Sequence, residues 1–531
     1  MNEGMNGWQQ SVEVIQQSLA AGIREFVVCS GARNALLLEA IARAEAAGKV
    51  RVWNHFEERA AGFFALGRCM QTGEPCAVVT TSGTACAELL PAVIEAHYQG
   101  RPLVALTADR PAAFRGTGAP QTMSQPGLFG DHATSDLESW DGLGPLHLNV
   151  EFEEATDFGE DDFSEATVGE FTPKRHKPGV ADLANWLRED RYRGLVVMVG
   201  GLEPEEREEV FHFCLELGVP LIAESTSGLR EALQELCIHD ATRVLREKPP
   251  GKLLRIGDVP SNRSWRDLDE HEALQGCSVW SICRNGLPGL ARPSQVTRDP
   301  VNRVIAALGE IERGDDALDH LVDTSRHSAR IEELLQSYPD SEPGLVRALS
   351  AHASIANGVF LGNSLPIREW NDFAQWDRPV PDVRANRGVN GIDGQVSTWL
   401  GWSADTPETW AIVGDLTALY DVASGFALKQ ITNEGRVLAV INNHGGRIFD
   451  RLPRLQSMSP RAREWMANEQ TADLAGLAQL WGMTHKAVSN IDDLDGLDEL
   501  EGDAAILLEV LPDAEQTEAF WKAVDVLNSA S

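Results

Sequence analysis

The sequence predicts an α/β protein made of three parallel-sheet α/β domains, and three observations carry that expectation. Short, continuous apolar runs recur, each stopped by turn residues, which is how buried parallel strands read. Stretches of helical length and spacing alternate with them, as βαβ crossovers require. At 531 residues the chain is also too long for one hydrophobic core. The expected domains are 1–172, 173–335 and 336–531.

In the first domain an amphipathic helix is expected over 11–22 and a strand from Phe26 to Cys29. The strand runs into Ser30-Gly31-Ala32-Arg33-Asn34 and an apolar helix from Leu36 to Ala44. A strand, a glycine turn and a helix N-terminus form an anion site by geometry, and Arg33 strengthens it. The alternative is an ordinary loop with a solvated arginine. In VWNHFEERAAGFFALG, after a short strand, Ala60, Ala61, Phe64 and Ala65 mark a small, apolar helix face, with Glu57 and Glu58 in its first turn. Either both glutamates complement the helix dipole, or one is desolvated and its pKa rises. Cys76 to Thr80 is a buried strand ending in Thr81-Ser82-Gly83-Thr84, and Pro102 to Leu106 is another, ending in Thr107-Ala108-Asp109-Arg110-Pro111. The Gly-rich loop RGTGAPQTMSQPGLFG follows, and GPLHLNVEF closes the domain with His147 in an apolar, structural setting. Glu151 to Glu170 holds nine acidic residues, with Pro173 and Pro178 beyond, and reads as a flexible linker.

The second domain takes RGLVVMVGG, VPLIAE, KLLRIGD and CSVWSI as its strands. The first of these is not followed by GxGxxG spacing, which excludes a dinucleotide site. Asn262-Arg263, just after a strand, is the one feature with chemistry. In the third domain, Gly358 to Leu361 leads to Gly362-Asn363-Ser364-Leu365-Pro366-Ile367-Arg368. A turn-rich loop, Asn386-Arg387-Gly388-Val389-Asn390-Gly391-Ile392-Asp393-Gly394, precedes an apolar helix.

Trp410 to Val413 then stops at Gly414-Asp415, and Val437 to Ile441 stops at Asn442-Asn443-His444-Gly445. The segment between, 421–433, has helical spacing, so the two strands should lie side by side and parallel. Ligands of open α/β sheets bind at the carboxyl ends of strands. A carboxylate and an amide oxygen there suit a hard cation such as Mg²⁺, and Gly445 can add a backbone carbonyl. Ala504 to Val510 is a late strand.

Composition narrows the partners. A formal net charge of −34 argues against nucleic acid, whose phosphates need a basic surface. In so acidic a chain, arginines beside glycines at strand ends point to anions. The chain has no run of eighteen apolar residues for a membrane span and no secretory signal at its start. Eight cysteines without CxxC spacing suit reduced thiols and a cytoplasmic protein.

Gly-Asp, a gap of nearly thirty residues and Asn-Asn together resemble the diphosphate-binding signature of thiamine-diphosphate enzymes. HFEERAAGFFALG, TSGTACAELLPAVIEA, LTADRP with GAPQTMSQPGLFG, GPLHLNV, GNSLPIREW, NRGVNGIDG and INNHGGRIFDRLP narrow the likeness to the 2-succinyl-5-enolpyruvyl-6-hydroxy-3-cyclohexene-1-carboxylate synthase family of menaquinone biosynthesis. The resemblance covers the first and third domains, a pyrimidine-binding and a diphosphate-binding domain. It implies thiamine diphosphate with Mg²⁺ or Mn²⁺ held by Asp415, Asn443 and Gly445. It also implies decarboxylation of 2-oxoglutarate and addition of the resulting succinyl carbanion to isochorismate.

On the same footing Glu58 is the cofactor-activating carboxylate, and Ile392 wedges the cofactor into its bent shape. Ser364, Arg368 and Arg387 face 2-oxoglutarate, while Arg33 and Arg263 face isochorismate. Gln121 lies near the reacting centre, and Ile448, Phe449 and Leu452 form an apolar wall. Glu58, Gln121, Arg33 and Arg387 are thus the catalytic set. The family's site lies between subunits, which implies a homodimer or homotetramer.

Three positions depart from the family pattern. Ala32 stands where a serine is usual, Pro120 where an asparagine is usual, and the Lys-Arg pair of the second domain is here only Arg263, followed by Ser264. All three lie on the acceptor side. They keep open an alternative, a related thiamine-diphosphate-dependent 2-oxo acid decarboxylase or carboligase with a different acceptor.

Overall fold

Three parallel sheets carry the chain in a computed structural model that describes residues 5–153, 158–175, 177–189, 194–310, 325–452, 455, 457–497 and 505–530. The first sheet comprises β1 (Glu25–Val28), β2 (Arg51–Asn54), β3 (Cys76–Thr80), β4 (Leu103–Asp109) and β5 (Leu146–Glu151), in the order β2-β1-β3-β4-β5. The second comprises β6 (Leu195–Val199), β7 (Leu221–Ala223), β8 (Lys252–Ile256), β9 (Ser278–Cys283) and β10 (Gln295–Arg298), ordered β10-β9-β8-β6-β7. The third comprises β11 (Gly358–Leu361), β12 (Val383–Arg384), β13 (Thr409–Gly414), β14 (Val437–Ile441), β15 (Thr484–Val488) and β16 (Ile506–Val510), ordered β12-β11-β13-β14-β16-β15. Every pairing among these strands is parallel. The central strands β3, β4, β6, β8 and β14 are buried along their whole length, as strands covered by helices on both faces must be.

The chain forms two compact units. One comprises Met1–Arg175, Gly388–Thr406 and Leu419–Thr432; the other comprises His176–Arg387, Pro407–Ala418 and Asn433–Ser531. The first sheet belongs to the first unit and the other two sheets to the second. Within the second unit, buried arginines tie elements of its two sheets together. Arg384 bonds Glu203 at 2.8 Å, and Arg230 donates to the carbonyls of Trp370 and Gln375.

In the first unit the helix Glu58–Thr72 packs backbone against backbone on the helix Gln395–Trp402. A Cβ at Gly67 would lie 2.1 Å from the Thr398 carbonyl oxygen, and one at Gly401 would lie 2.1 Å from that of Phe64. Arg68, 1 % exposed, locks the pair: it bonds both oxygens of Glu25 at 2.7 and 2.8 Å, Asp405 at 2.9 Å and the Gly401 carbonyl. Removing one partner of such a buried pair costs about 3–5 kcal/mol, because the other charge stays desolvated.

Two expectations need correction. The acidic stretch 151–170 is not a free linker over its described residues, 151–153 and 158–170. Phe152 and Phe163 are wholly buried, Trp8 donates to Asp161 at 2.6 Å, and Arg43 donates to the carbonyls of Gly159 and Asp161. Its two aromatic anchors outweigh the acidic composition. The segment 421–433 is not one helix either. A helix starts earlier, at Asp415–Tyr420, and a 3₁₀ turn follows at Ser424–Gln430, because the Asp421 side chain is drawn off to cap another helix. His147 is structural, as expected. Burial pushes its ring down to about 4, Nε2 lies 2.8 Å from the Thr107 hydroxyl, and the ring packs edge-on against Phe129.

All eight cysteines are free and buried. No described helix is long and apolar enough to cross a membrane.

The glycine contacts generate a prediction. Gly401→Val forces two helix backbones apart, and overpacking of this kind costs about 1–3 kcal/mol or more. The urea midpoint followed by far-UV circular dichroism should fall accordingly. An unchanged midpoint would show that the helices separate freely.

Candidate active site

Strands β13 and β14 are in register, with Gly414 opposite Ile441, so Asp415 and Asn442 leave the sheet at the same level. Asp415 is 2 % exposed. Its carboxylate accepts from the Leu416 N–H at 2.7 Å and from Gln470 Nε2 at 2.7 Å. Burial raises its pKa against those hydrogen bonds. The same Gln470 amide donates to Asn442 Oδ1 at 2.9 Å, and Asn442 in turn donates to Glu509.

Asn443 donates through Nδ2 to both oxygens of Glu342, each at 3.0 Å. That grip fixes the amide, leaving Oδ1 buried and without a partner among the described residues. Behind it, burial pushes Glu342 up to about 7, and burial with the Glu342 charge pushes Glu369 up as well. Gly445 adopts φ +134°, where a Cβ would meet the Ala467 carbonyl oxygen at 2.5 Å, and its own carbonyl accepts from the Arg447 N–H. A divalent cation fits this donor set. It would neutralise a buried carboxylate and give the orphaned amide oxygen the partner it lacks.

Beside these strands, β11 ends at Leu361 and turns through Ser364, a non-glycine residue at φ +78°. Arg368, on the helix Leu365–Phe373, donates back to the Ser364 carbonyl. Arg387 donates to Asn363 Oδ1 at 2.9 Å, while its Nε is buried and unpartnered among the described residues. Burial and then the charges of Arg387 and Arg266 lower the Arg368 pKa, whereas Glu224 and Asp372 oppose that shift. Three guanidinium groups thus gather near two carboxylates, a setting that suits a bound dicarboxylate.

Arg263 is held differently. Asp267 and Glu270 of its own helix bond it at 2.8 and 2.7 Å, and nearly half of its side chain is exposed. Its helix neighbour Arg266 is the one whose charge reaches Arg368. Ile448 and Phe449 lie half-buried on the 3₁₀ turn Arg447–Arg451, and Leu452 is 41 % exposed just after it.

In the first unit the two adjacent glutamates divide their work. Glu57 is the N-cap of the helix Glu58–Thr72, accepting from the N–H groups of Arg59 and Ala60 at 3.1 and 2.8 Å. Glu58 is thereby free of capping, and burial raises its pKa, with the Glu57 and Glu88 charges adding to the shift. It lies near Cys29 at the end of β1, whose thiol is pushed up by burial and by the Glu58 and Glu57 charges. Arg33, in the turn after β1, donates to the Phe152 carbonyl at 3.0 Å.

Gln121 is exposed at φ +51° and packs its backbone on Gly83, where a Cβ would lie 3.1 Å from Gln121 Cα. Gln125 anchors that approach, accepting from the Gly83 N–H and donating to the Ala108 carbonyl. Ile392 is half-buried in the loop before the helix Gln395–Trp402.

Sequence reasoning missed several polar residues. The Thr80, Thr81 and Ser82 hydroxyls and Asn34 Oδ1 are buried without partners among the described residues, at the carboxyl ends of β1 and β3. Native structures satisfy such groups with a protein, water or ligand partner. The run Thr80-Thr81-Ser82 at a strand end was the available signal. Glu342, Glu369, Gln470, Glu224 and Arg266 had none, since only tertiary folding brings them to the site.

Comparison with known proteins agrees with this geometry. Residues 9–128 match the N-terminal TPP-binding domain of thiamine pyrophosphate enzymes. The chain is 46% identical over 520 residues to the 2-succinyl-5-enolpyruvyl-6-hydroxy-3-cyclohexene-1-carboxylate synthase of Akkermansia muciniphila, covering 95% of this chain and 96% of that protein. It is 36% identical over 558 residues to the enzyme of the same name from Bdellovibrio bacteriovorus, covering 98% and 99%. Against that of Chloroflexus aurantiacus it is 33% identical over 508 residues, covering 85% and 84%. With three parallel sheets and a buried carboxylate and amide at the ends of neighbouring strands, the chain belongs to the 2-succinyl-5-enolpyruvyl-6-hydroxy-3-cyclohexene-1-carboxylate synthase family.

Proposed function

We infer that this protein decarboxylates 2-oxoglutarate and adds the resulting succinyl carbanion to isochorismate, using thiamine diphosphate and Mg²⁺ or Mn²⁺. The observation that carries the reading is the pairing of a buried Asp415 with an Asn443 whose Oδ1 has no partner among the described residues, at the tips of adjacent strands. Asp415, Asn443 Oδ1 and the Gly445 carbonyl would hold the metal, and the metal would bind the cofactor's diphosphate. Bound thiamine diphosphate supplies the electron sink for the carbanion.

The chain's own residues do the rest. Glu58, set where burial favours the neutral carboxyl, would exchange a proton with the aminopyrimidine ring of a bound cofactor. Arg387 and Arg368 bind the carboxylates of 2-oxoglutarate beside Ser364, and Arg33 and Arg263 bind those of isochorismate. Gln121 orients the reacting groups. Ile392 would support the cofactor, and Ile448, Phe449 and Leu452 would form an apolar wall. The domains are read as 1–172, 173–335 and 336–531. The active form is a homodimer or homotetramer, in which a second copy completes each site, and it works in the cytoplasm. The near-full-length relatives support the synthase over a decarboxylase with another acceptor, despite Ala32, Pro120 and Ser264.

Incubation with thiamine diphosphate, Mg²⁺, 2-oxoglutarate and isochorismate should yield the succinylated cyclohexene adduct. CO₂ release without the adduct would favour the decarboxylase instead. Glu58→Gln should lower kcat by about 10²–10⁴-fold, the range for loss of a general acid–base group, with stability unchanged. Calorimetry should show Mg²⁺-dependent uptake of thiamine diphosphate that Asp415→Ala abolishes, and equal affinity in the variant would sink the metal assignment. Arg387→Ala should raise KM for 2-oxoglutarate steeply, because an ion pair losing its partner costs on the order of 2–5 kcal/mol. A KM within about twofold of wild type would remove Arg387 from the donor side.

A further inference from the structure

The segment 388–396 enters the first unit from late in the sequence, and two buried carboxylates seize its backbone at either end. Glu95, 2 % exposed on the helix Leu90–Gln99, accepts from the N–H groups of Gly388 and Val389 at 2.7 and 2.8 Å. Asp421, 1 % exposed, accepts from those of Gly394 and Val396 at 2.8 and 2.9 Å. Between them the chain turns through Asn390 at φ +61°, and Gln395 Nε2 holds the Gly391 carbonyl at 2.6 Å.

The fit is close at both ends. A Cβ at Gly388 would lie 2.7 Å from the Glu95 carbonyl oxygen, and one at Gly394 would lie 2.1 Å from the Phe63 ring. Asp421 also faces the Arg59 guanidinium at 3.5 Å, and Arg59 donates to the Tyr420 carbonyl and stacks on the Tyr420 ring. Glu58, next to Arg59, therefore shares an anchor with the turn that carries Ile392. Burial pushes the Asp421 carboxyl up to about 7, with the Asp393 charge adding to the shift, while the two N–H donors and Arg59 pull the other way.

We propose that Glu95 and Asp421 are paired positioning residues. Their carboxylates grip the backbone on both sides of the 390–393 turn and hold Ile392 where it supports the bound cofactor. Neither residue touches the reacting atoms; each acts through main-chain N–H groups, and Glu95 is itself held by Gln99 Nε2 at 2.7 Å. The proposal rests on the role given to Ile392 above.

The test uses the full-length protein with Asp421→Asn and Glu95→Gln, each of which turns an all-acceptor group into one with a single acceptor oxygen. Hydrogen exchange, read without cofactor, should show at least about tenfold faster exchange across 388–396, with β3 and β4 unaffected. Calorimetry with thiamine diphosphate and Mg²⁺ should show a Kd raised about tenfold. In an Ile392→Ala background the same substitutions should add less than about twofold, since residues acting through one another are non-additive.

Unchanged exchange, unchanged Kd despite faster exchange, or full additivity with Ile392→Ala each overturns the proposal. If Asp421→Asn does not fold, Glu95→Gln carries the comparison with Asp421 and Arg59 intact. A wild-type protein that takes up no thiamine diphosphate defeats the functional reading, whereas the exchange result bears on the grip alone.

Discussion

Two parallel strands that end at the same height are the constraint on which the second unit depends. The register of β13 and β14 delivers a carboxylate and two amides to one spot at the edge of the sheet. Among the described residues, Arg447 and Arg451 offset the Glu342 and Glu369 charges only in part. Asp415, Glu342 and Glu369 are all buried carboxyl groups whose pKa values are raised chiefly by burial. Holding ionised carboxylates in low dielectric is costly, and a cation bound to the amide oxygen and Asp415 would relieve much of that cost. Metal binding would then link stability to chemistry at these strand tips.

The first unit shows the same economy in reverse. There the chain leaves acceptors and hydroxyls unsatisfied among the described residues at the ends of β1 and β3, and it keeps one glutamate out of helix capping by assigning its neighbour to the task. Burial, not capping, then sets the Glu58 carboxyl. Adjacent residues of one type thus acquire different chemistry from a single turn of backbone, because helix N-termini satisfy only the side chain that reaches N2 and N3.

Most of the scaffold was legible in the sequence. Apolar runs bounded by glycine and polar turns located the central strands of all three sheets, and the Gly-Asp and Asn-Asn tips located the strand-end crevice. Short edge strands such as β10, β12 and β15 escaped, since a half-exposed run like Thr484–Val488 lacks the continuous apolar signature. Composition misled at 151–170, where two phenylalanines bury themselves among nine acidic residues. Helical spacing misled at 421–433, where one aspartate caps another helix instead of continuing its own. At the site, residues at strand tips could be read directly, but those that hold them could not. Glu342 precedes Asn443 by about a hundred residues, Gln470 follows Asp415 by more than fifty, and no local pattern links either pair. Arg263 illustrates the same limit, since carboxylates on its own helix decide where its guanidinium goes.

The sealed cysteines have a consequence of their own. Cys29 lies just past β1 and Cys76 begins the neighbouring strand β3, both walled off and both with thiols pushed far from ionisation. Alkylating reagents attack the thiolate, so a closed molecule is inert to them. Modification then waits on the sheet parting, and the pace of labelling becomes an intrinsic clock for breathing of the first sheet, at the Glu58 end through Cys29 and at the Glu25 end through Cys76.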